Sequence, residues 1–431
     1  MKQIIFILFS LVISMKLAAD SDKTIFDNFS FQGHIDITYQ AYLLKPKAKE
    51  GENFTAAAVL ESKYVKDELE VNMKLKAQQD YYDLVESSKH TDRSYIRLDE
   101  LYTEYDFEND QISLGKSIKF WGALEVRNIT DAFNLVDLRS DPFENDKVGS
   151  WNFTYTHYTD NGEFSAIVKF YEQSREMSAY PYVYYYFPKE VAVSPTLSLP
   201  FVYDKKLITK STEYDPSIYL KYSASTETEY PLDYALILEK GYDSQRYYTT
   251  ALSADATELI SHENAYMVNK LSTYATLVAG STLFKLEALY ANVIDDDIVG
   301  DYSHIGLGIE HTLTQIYKEA DLGIICEYYN YTTYDKNKMD DLALFEVFQN
   351  DLFLGARYSF NNGNDASLIG GAIVDLEYDE QVYYLEYESR VAEIFKVKTD
   401  FRYIEPSKND PTAFNLMGRH ARVSLNLSYY F

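Results

Sequence analysis

The sequence contains one cysteine, few prolines and glycines, and a shortage of basic residues. Cys326 is the only cysteine among 431 residues, so a framework of internal disulfides is excluded. The 10 prolines and 17 glycines are too few for a low-complexity or collagen-like chain. The 40 Lys and Arg residues are outnumbered by 67 Asp and Glu, and the formal net charge of −27 argues against nucleic acid as a partner.

Long apolar runs are also missing, apart from one at the N-terminus. Lys2 precedes an apolar run from Ile4 to Ile13, and the small residues Ala18 and Ala19 follow it. This order is typical of a secretory signal peptide, and the run is too short to span a bilayer. We therefore expect residues 1–19 to be a signal peptide and residues 20–431 to form the exported protein.

Aromatic residues are abundant, and nearly every later segment alternates with a period of two. The chain has 42 Tyr and 24 Phe, and in stretches such as 29–43, 69–76 and 395–403 apolar and polar residues take turns. Such alternation predicts strands with one apolar and one polar face. A soluble β-sandwich would alternate too. However, the polar faces carry many charges and the apolar faces carry aromatics near the strand ends, which is the pattern of a membrane barrel with water inside.

The spacing of the strands predicts their number. Long connections around 44–53, 79–93, 118–147 and 173–216 alternate with tight ones, as do 293–303, 332–349 and 404–420 further on. A weak additional strand, Gln245–Ala254, would break this alternation, so we assign about 243–264 to one loop. The prediction is an all-β, antiparallel up-and-down transmembrane barrel of about 18 strands, with 16 as the alternative, short periplasmic turns and long external loops.

The final segment, "RVSLNLSYYF", alternates up to Phe431. Together with the signal peptide, it resembles the last strand of Gram-negative outer-membrane β-barrels of the porin-like channel class. In that family the barrel-assembly machinery reads this strand, and the matching positions are Leu425, Leu427, Tyr429 and Phe431. The resemblance implies a bacterial outer-membrane location, contact with lipid and lipopolysaccharide, and the assembly machinery as a partner. A homotrimer is a further expectation, because general porins are often trimers.

The segment 115–151 is the most informative internal stretch, because in porins the loop at this place in the strand order folds into the barrel. Its charges of both signs would set a transverse field at a narrow point of the pore. The alternative is that its apolar residues pack the loop on the wall while its charges remain outside. We predict an inward-folded constriction formed by Lys119, Glu125, Arg127, Asp131, Asp137 and Arg139.

Inward-facing positions of the strands carry charges of both signs, which we expect to form ion pairs that stiffen the wall. The predicted lumen-wall residues are Lys74, Lys76, Lys285, Glu386, Glu388, Lys396, Lys398 and Arg402. The aromatic cluster at 180–188 in the 173–216 loop could stack on sugar rings, although a lid or a girdle at the membrane interface is the interpretation we favour.

These observations predict a channel for passive diffusion of small hydrophilic solutes. The alternatives are a channel selective for a sugar or an aromatic acid, and a structural or adhesive barrel without an open pore. We expect no enzymatic activity, because none of the seven histidines stands in a metal or nucleophile motif. No metal site and no cofactor are expected either.

Overall fold

The computed structural model describes residues 28–46, 51–85, 90–141, 143–185, 187–335, 338, 346–410 and 412–431. The predicted signal peptide therefore lies outside the described residues. Eighteen strands form one antiparallel sheet that closes on itself, so the predicted barrel and its strand number are confirmed. The first seven barrel strands are β1 (Phe29–Leu44), β2 (Glu52–Lys66), β3 (Leu69–Asp80), β4 (Tyr95–Phe107), β5 (Asp110–Ser117), β6 (Ser150–Thr159) and β7 (Gly162–Lys169).

The remaining eleven barrel strands follow in chain order, interrupted by four strands of a separate sheet. The separate strands are β8 (Glu190–Ser194), β9 (Leu197–Ile208), β12 (Tyr247–Leu252) and β13 (Leu259–Asn264). The barrel strands are β10 (Ser217–Thr226), β11 (Leu232–Tyr242), β14 (Met267–Ala279), β15 (Thr282–Ile294), β16 (Tyr302–Tyr317), β17 (Ala320–Thr333), β18 (Asn350–Ser359), β19 (Ser367–Asp375), β20 (Gln381–Arg390), β21 (Phe395–Glu405) and β22 (His420–Tyr430).

The barrel closes between its first and last strands. β1 pairs antiparallel with β22, with His34 opposite Tyr430 and Tyr42 opposite Arg422. Beyond the strand, Gly33 and Phe431 exchange two backbone hydrogen bonds of 3.2 and 3.1 Å. Closure leaves no strand edge unpaired, which is the condition for a sheet to exist in lipid.

The outer surface of the barrel is apolar. Every second residue of a barrel strand points outward, and many of these side chains are both exposed and large and hydrophobic. Examples from strands around the barrel are Ile37, Leu101, Leu238, Phe284, Leu307, Ile324, Leu354, Leu385 and Leu425. A belt of this kind around a closed barrel is stable in a bilayer and not in water, so the chain is an outer-membrane β-barrel.

The two ends of the barrel differ. One end carries tight turns such as 67–68, 108–109, 160–161 and 280–281; in outer-membrane barrels this end faces the periplasm. The other end carries the long loops, including 118–149, 170–216 and 243–266. The weak additional strand considered in the sequence, Gln245–Ala254, contains β12. It belongs to the separate four-stranded sheet of the loops, whose order is β12-β13-β9-β8. Its assignment to an external loop is therefore confirmed.

Two short helices complete the described part of the chain: α1 (Tyr81–Val85) and α2 (Ala413–Met417). Neither of them is long and apolar enough to cross a membrane. The largest buried apolar cluster lies inside the barrel towards the external end. It joins loop residues such as Leu124, Tyr184 and Phe414 to wall residues such as Ile325 and Phe353. The external loops are thus packed into the barrel mouth and hold one another in place.

Candidate functional site

The loop of residues 118–149, here called the lumen loop, leaves β5 and crosses the inside of the barrel. Its first arm, residues 119–131, reaches β15, where the carboxylate of Glu287 accepts four hydrogen bonds. The backbone N–H groups of Ala123 and Leu124 donate to Oε1 at 2.6 and 3.0 Å. The N–H and hydroxyl of Thr130 donate to Oε2, both at 2.9 Å. Glu287 is fully buried, and its partners are loop donors and no cation.

A second wall carboxylate holds the next two residues of the same arm. Glu327 on β17 accepts hydrogen bonds from the backbone N–H groups of Glu125 and Val126 at 2.7 and 3.1 Å. The hydroxyl of Tyr329 donates to Glu327 at 2.6 Å and accepts from the N–H of Arg127 at 3.2 Å. Four successive backbone amides, 123–126, are therefore bound by two buried carboxylates, and this part of the loop needs no secondary structure of its own.

Two glycines on β16 make room for the arm. A Cβ atom at Gly306 would lie 2.4 Å from Cδ1 of Leu124, and one at Gly308 would lie 2.8 Å from Cδ2. Both distances are shorter than carbon atoms tolerate, so a side chain at either position would force the Leu124 side chain out of its place.

Two ion pairs made by its side chains also bind the first arm of the lumen loop. Glu125 pairs with Arg357 on β18, and Arg127 pairs with Glu346 at 3.2 Å. Burial by itself raises the pKa of the Glu346 carboxyl, but the Arg127 guanidinium outweighs it and holds that pKa below its usual range.

The second arm of the lumen loop, residues 136–147, contacts β3 and β4. Asp146 pairs with Lys76 at 2.7 Å and with Arg97 at 2.9 Å. Arg97 also pairs with Asp137, and Asp137 receives Arg139 at 2.7 Å. Asp137, Arg97 and Arg139 are buried, and this charge network fixes the arm against the wall.

The tip of the second arm reaches β21 and β22. Asp141 is paired at 2.6 Å with Arg402 and, on its other oxygen, at 2.6 Å with Arg422. Burial raises the pKa of the Asp141 carboxyl, but the two guanidinium groups dominate and lower it to about 2. The ring of Phe143 stacks on the ring of Phe414 in α2, with centroids 5.8 Å apart. The Arg402 guanidinium lies 4.3 Å from the centroid of the Phe143 ring.

The structure separates the six residues predicted to form a constriction. Glu125, Arg127 and Asp131 line a cavity inside the barrel. Asp131 pairs with Lys147 of the same loop, and Lys119 lies 5.8 Å from the ring centroid of Phe133.

Asp137 and Arg139 are buried in the network around Arg97 and line neither of the cavities described below, and their part in a constriction stays a prediction. Their ion pairs help to hold the lumen loop against the wall. The reason for their burial is that Arg97 is itself buried on the wall and draws Asp137 towards it, and Asp137 in turn binds Arg139.

All eight predicted lumen-wall residues take part in ion pairs. The pairs are Lys74–Glu61 at 2.9 Å, Lys76–Asp146 at 2.7 Å, Lys285–Glu310 at 2.9 Å, Lys396–Glu388 at 2.7 Å, Lys398–Glu386 at 2.9 Å and Arg402–Asp141 at 2.6 Å. Four of these pairs join one wall residue to another. The other two join the wall to the lumen loop, so the same charges that line the barrel also position the loop.

Among the described residues, two cavities border the lumen loop. The outer cavity has a volume of about 270 Å³ and the inner cavity about 420 Å³. The outer one lies among the external loops and is lined by Val126, Arg127, Asp131, Leu138, Arg175, Arg246, Glu346, Phe348, Phe414 and others. The inner one lies against β3 and β20–β22 and is lined by Lys76, Asp146, Glu386, Lys398, Asp400, Arg402 and Arg422. Both are also lined by Phe143, Glu144 and Asn145, so they adjoin at the loop tip.

The aromatic cluster of the 173–216 loop is packed inside the barrel mouth. Tyr182 is fully buried with the Arg93 guanidinium 3.9 Å from its ring centroid, and Tyr184 is buried against His420 with centroids 5.1 Å apart. The girdle interpretation is therefore wrong, because these rings face the inner wall and not the lipid. Burial also leaves no free ring face on Tyr182 or Tyr184 for a sugar, whereas close packing in the mouth agrees with a lid.

Sequence reasoning missed two carboxylates that determine where the lumen loop lies, Glu327 and Asp141, and it missed Glu144, which lines both cavities. Glu327 had a detectable signal: it is an isolated carboxylate at an inward position of the otherwise apolar run "GIICEYY". Such a residue needs a partner from outside its own strand. Asp141 and Glu144 lie in an irregular loop, where no periodicity indicates which way a side chain points.

Comparison with solved structures places the fold among outer-membrane porins. OccAB4 of Acinetobacter baumannii superposes with a TM-score of 0.56 at 10% identity, over 94% of this chain and 98% of that one. OccAB3 of the same organism gives 0.55 at 11%, over 94% and 99%. OccK5 (OpdH) of Pseudomonas aeruginosa gives 0.52 at 9%, over 94% and 98%. No protein-family model and no curated protein matches the chain.

Proposed function

We propose that this porin-like barrel is a channel for passive diffusion of small hydrophilic solutes, and that the lumen loop is its constriction. The observation that carries the proposal is the adjoining pair of cavities. A solute entering from outside would occupy the outer cavity, pass the loop tip at Phe143–Asn145 and continue along the charged wall of β3 and β20–β22. Charged side chains paired with one another can replace part of a solute's hydration without binding it tightly, which a conducting pathway requires.

The outer cavity supports a second candidate, a channel selective for a solute that combines an apolar and a polar part. Phe143, Phe348 and Phe414 give this cavity an apolar side, and Arg127 and Asp131 give it a charged one. An aromatic acid fits this combination better than a sugar does, because the tyrosine rings that would stack on a sugar are buried. Selective block of the pore by such a solute would favour this candidate.

Planar-bilayer recording of the purified protein tests the proposal. We expect a steady open conductance, and a folded barrel that remains silent would refute the channel. To test the constriction, residues 139–146 are replaced by a short Gly-Ser linker, which removes the loop tip and leaves the first arm bound to Glu287 and Glu327. The conductance should rise.

A matched control shortens the hairpin between β12 and β13 at 253–258, which lies in the separate loop sheet. This change should leave the conductance as it was. Equal conductance in the tip variant and the intact protein, with both shown to be folded by their heat-dependent electrophoretic mobility, would refute the constriction while retaining the channel.

The same proposal includes the partners that membrane insertion requires. Phe431 and the outward side chains Leu425, Leu427 and Tyr429 form the proposed signal for the barrel-assembly machinery. Leu425 and Leu427 are exposed on the outer surface of β22, where a receptor could contact them before the barrel closes.

A further inference from the structure

One charged residue at the junction of the two cavities differs from all the others. Among the described residues that line either cavity, each charged side chain other than Glu144 lies within 4.0 Å of an opposite charge. The pairs not named above are Arg422–Asp400, Arg175–Glu263 at 3.7 Å and Arg246–Glu172 at 2.5 Å. Glu144 has neither an ion pair nor a side-chain hydrogen bond, and its side chain is exposed within the enclosed space of the two cavities.

The position of Glu144 is fixed by its neighbours. Its backbone N–H donates to the carbonyl of Asp141 at 2.9 Å, and its carbonyl accepts from the N–H of Asp146 at 2.8 Å. The N–H of Phe143 donates to the Asp141 carboxylate at 3.0 Å. Asp141 and Asp146 are both paired with wall residues, so the turn is bound on both sides and its one free carboxylate cannot drift away from the junction.

We propose that Glu144 is the selectivity-determining residue of this pathway and makes it prefer cationic over anionic solutes. The inference rests on the proposed channel function and names the class of solute that the channel favours. The cations nearest to the junction are Lys76, Lys398, Arg402 and Arg422, and each is neutralised by a carboxylate of its own. A permeating ion therefore meets one uncompensated charge, and that charge is negative.

The size of the effect follows from Coulomb's law. A unit charge about 7 Å from the path of a monovalent ion, in water-like surroundings, changes the local concentration of that ion about threefold. The pairs on the wall contribute less, because the fields of two opposite charges in contact largely cancel at that distance. Loss of Glu144 should thus remove most of the preference.

The experiment measures the reversal potential of the intact protein in planar bilayers under a gradient of KCl. We expect the wild type to prefer K⁺ over Cl⁻. Glu144→Gln should lower the ratio of K⁺ to Cl⁻ permeability about sevenfold, because the charge raises the local concentration of the cation and lowers that of the anion by the same factor. Glu144→Lys should invert the preference. Since Glu144 makes no side-chain bond, both variants should fold like the wild type.

The matched control is Glu190→Gln, which removes the same formal charge from an exposed position on β8, outside both cavities. It should leave the ratio unchanged. A conducting channel whose ratio does not respond to Glu144→Gln, or responds equally to Glu190→Gln, overturns the inference and leaves the channel itself intact. Absence of conductance from the wild type overturns both.

Discussion

The binding of the lumen loop to Glu287 gives the most demanding test of how the lumen is arranged. Replacing Glu287 by Ala removes the acceptor of four hydrogen bonds, from Ala123, Leu124 and both donors of Thr130. At about 1.5 kcal/mol for each bond to a charged group, the sum is about 6 kcal/mol. Water that enters the space left by the Glu287 side chain can bind the freed loop donors, which reduces this loss. The wild type also bears the free-energy cost of burying a carboxylate that has no cation beside it, and the Ala variant does not. We therefore expect the docking of this arm to weaken by about 3 kcal/mol.

Amide hydrogen exchange measures this quantity directly. A loss of about 3 kcal/mol corresponds to about 100-fold faster exchange where the amides open locally. The effect should be confined to residues 123–130 and leave the barrel strands protected. Glu287→Gln keeps one acceptor oxygen and turns the other position into a donor that faces Thr130, so its effect should have the same direction and a smaller size.

Glu61→Gln serves as the control, because Glu61 on β2 is also a lumen carboxylate but pairs with Lys74 and Gln32 and contacts no loop amide. Exchange at residues 123–130 should stay at the wild-type level in this variant. Equal protection of these residues in wild type and Glu287→Ala, with the barrel folded in both, would contradict the inward position of the loop.

Two further outcomes are expected. In acid, the cation preference should disappear well before the loop tip is released. Removal from bulk water and the charge of Asp141 raise the pKa of Glu144, so its negative charge is lost as pH falls through that raised value, while Asp141, with its pKa lowered to about 2, stays ionised. Reversal potentials recorded from pH 8 to pH 3 should fall towards zero before the conductance rises, and a rise in conductance at the same pH or at a higher one would contradict this order. Separately, Phe431→Ala should lower the amount of folded barrel in the outer membrane of cells without preventing refolding in detergent. The control variant Tyr430→Ala, on the inward face, should have a smaller effect on assembly. Equal losses in the two variants would argue against a signal on the outward face.

The barrel could be predicted from the sequence because its rule is local. A strand in a closed membrane barrel must alternate, so the pattern around Leu425 and Leu427 shows the outward face without knowledge of any neighbour. The number of strands followed from the alternation of short and long connections. The ion pairs along the wall followed as well, since Lys398 and Glu386 lie on neighbouring strands in register.

The site could be predicted only in part, because the lumen loop has no repeating pattern. Its charged composition indicated a place at the pore, but the same composition contains Asp137, which is buried in a network, and Glu144, which faces the two cavities. Whether a carboxylate of the loop is paired or remains unpaired depends on the positions of Arg97, Arg402 and Arg422, which lie on strands far away in the sequence.

The sequence alone thus determined that the chain forms a membrane barrel with a charged interior, because period-two alternation and strand length are properties of consecutive residues. The tertiary structure alone decided which carboxylate remains unpaired. Ion pairs such as Asp141–Arg402 join residues that are far apart in the sequence and that only the folded barrel brings together. A charge without a partner can be identified only after all the partners of the others have been assigned in space.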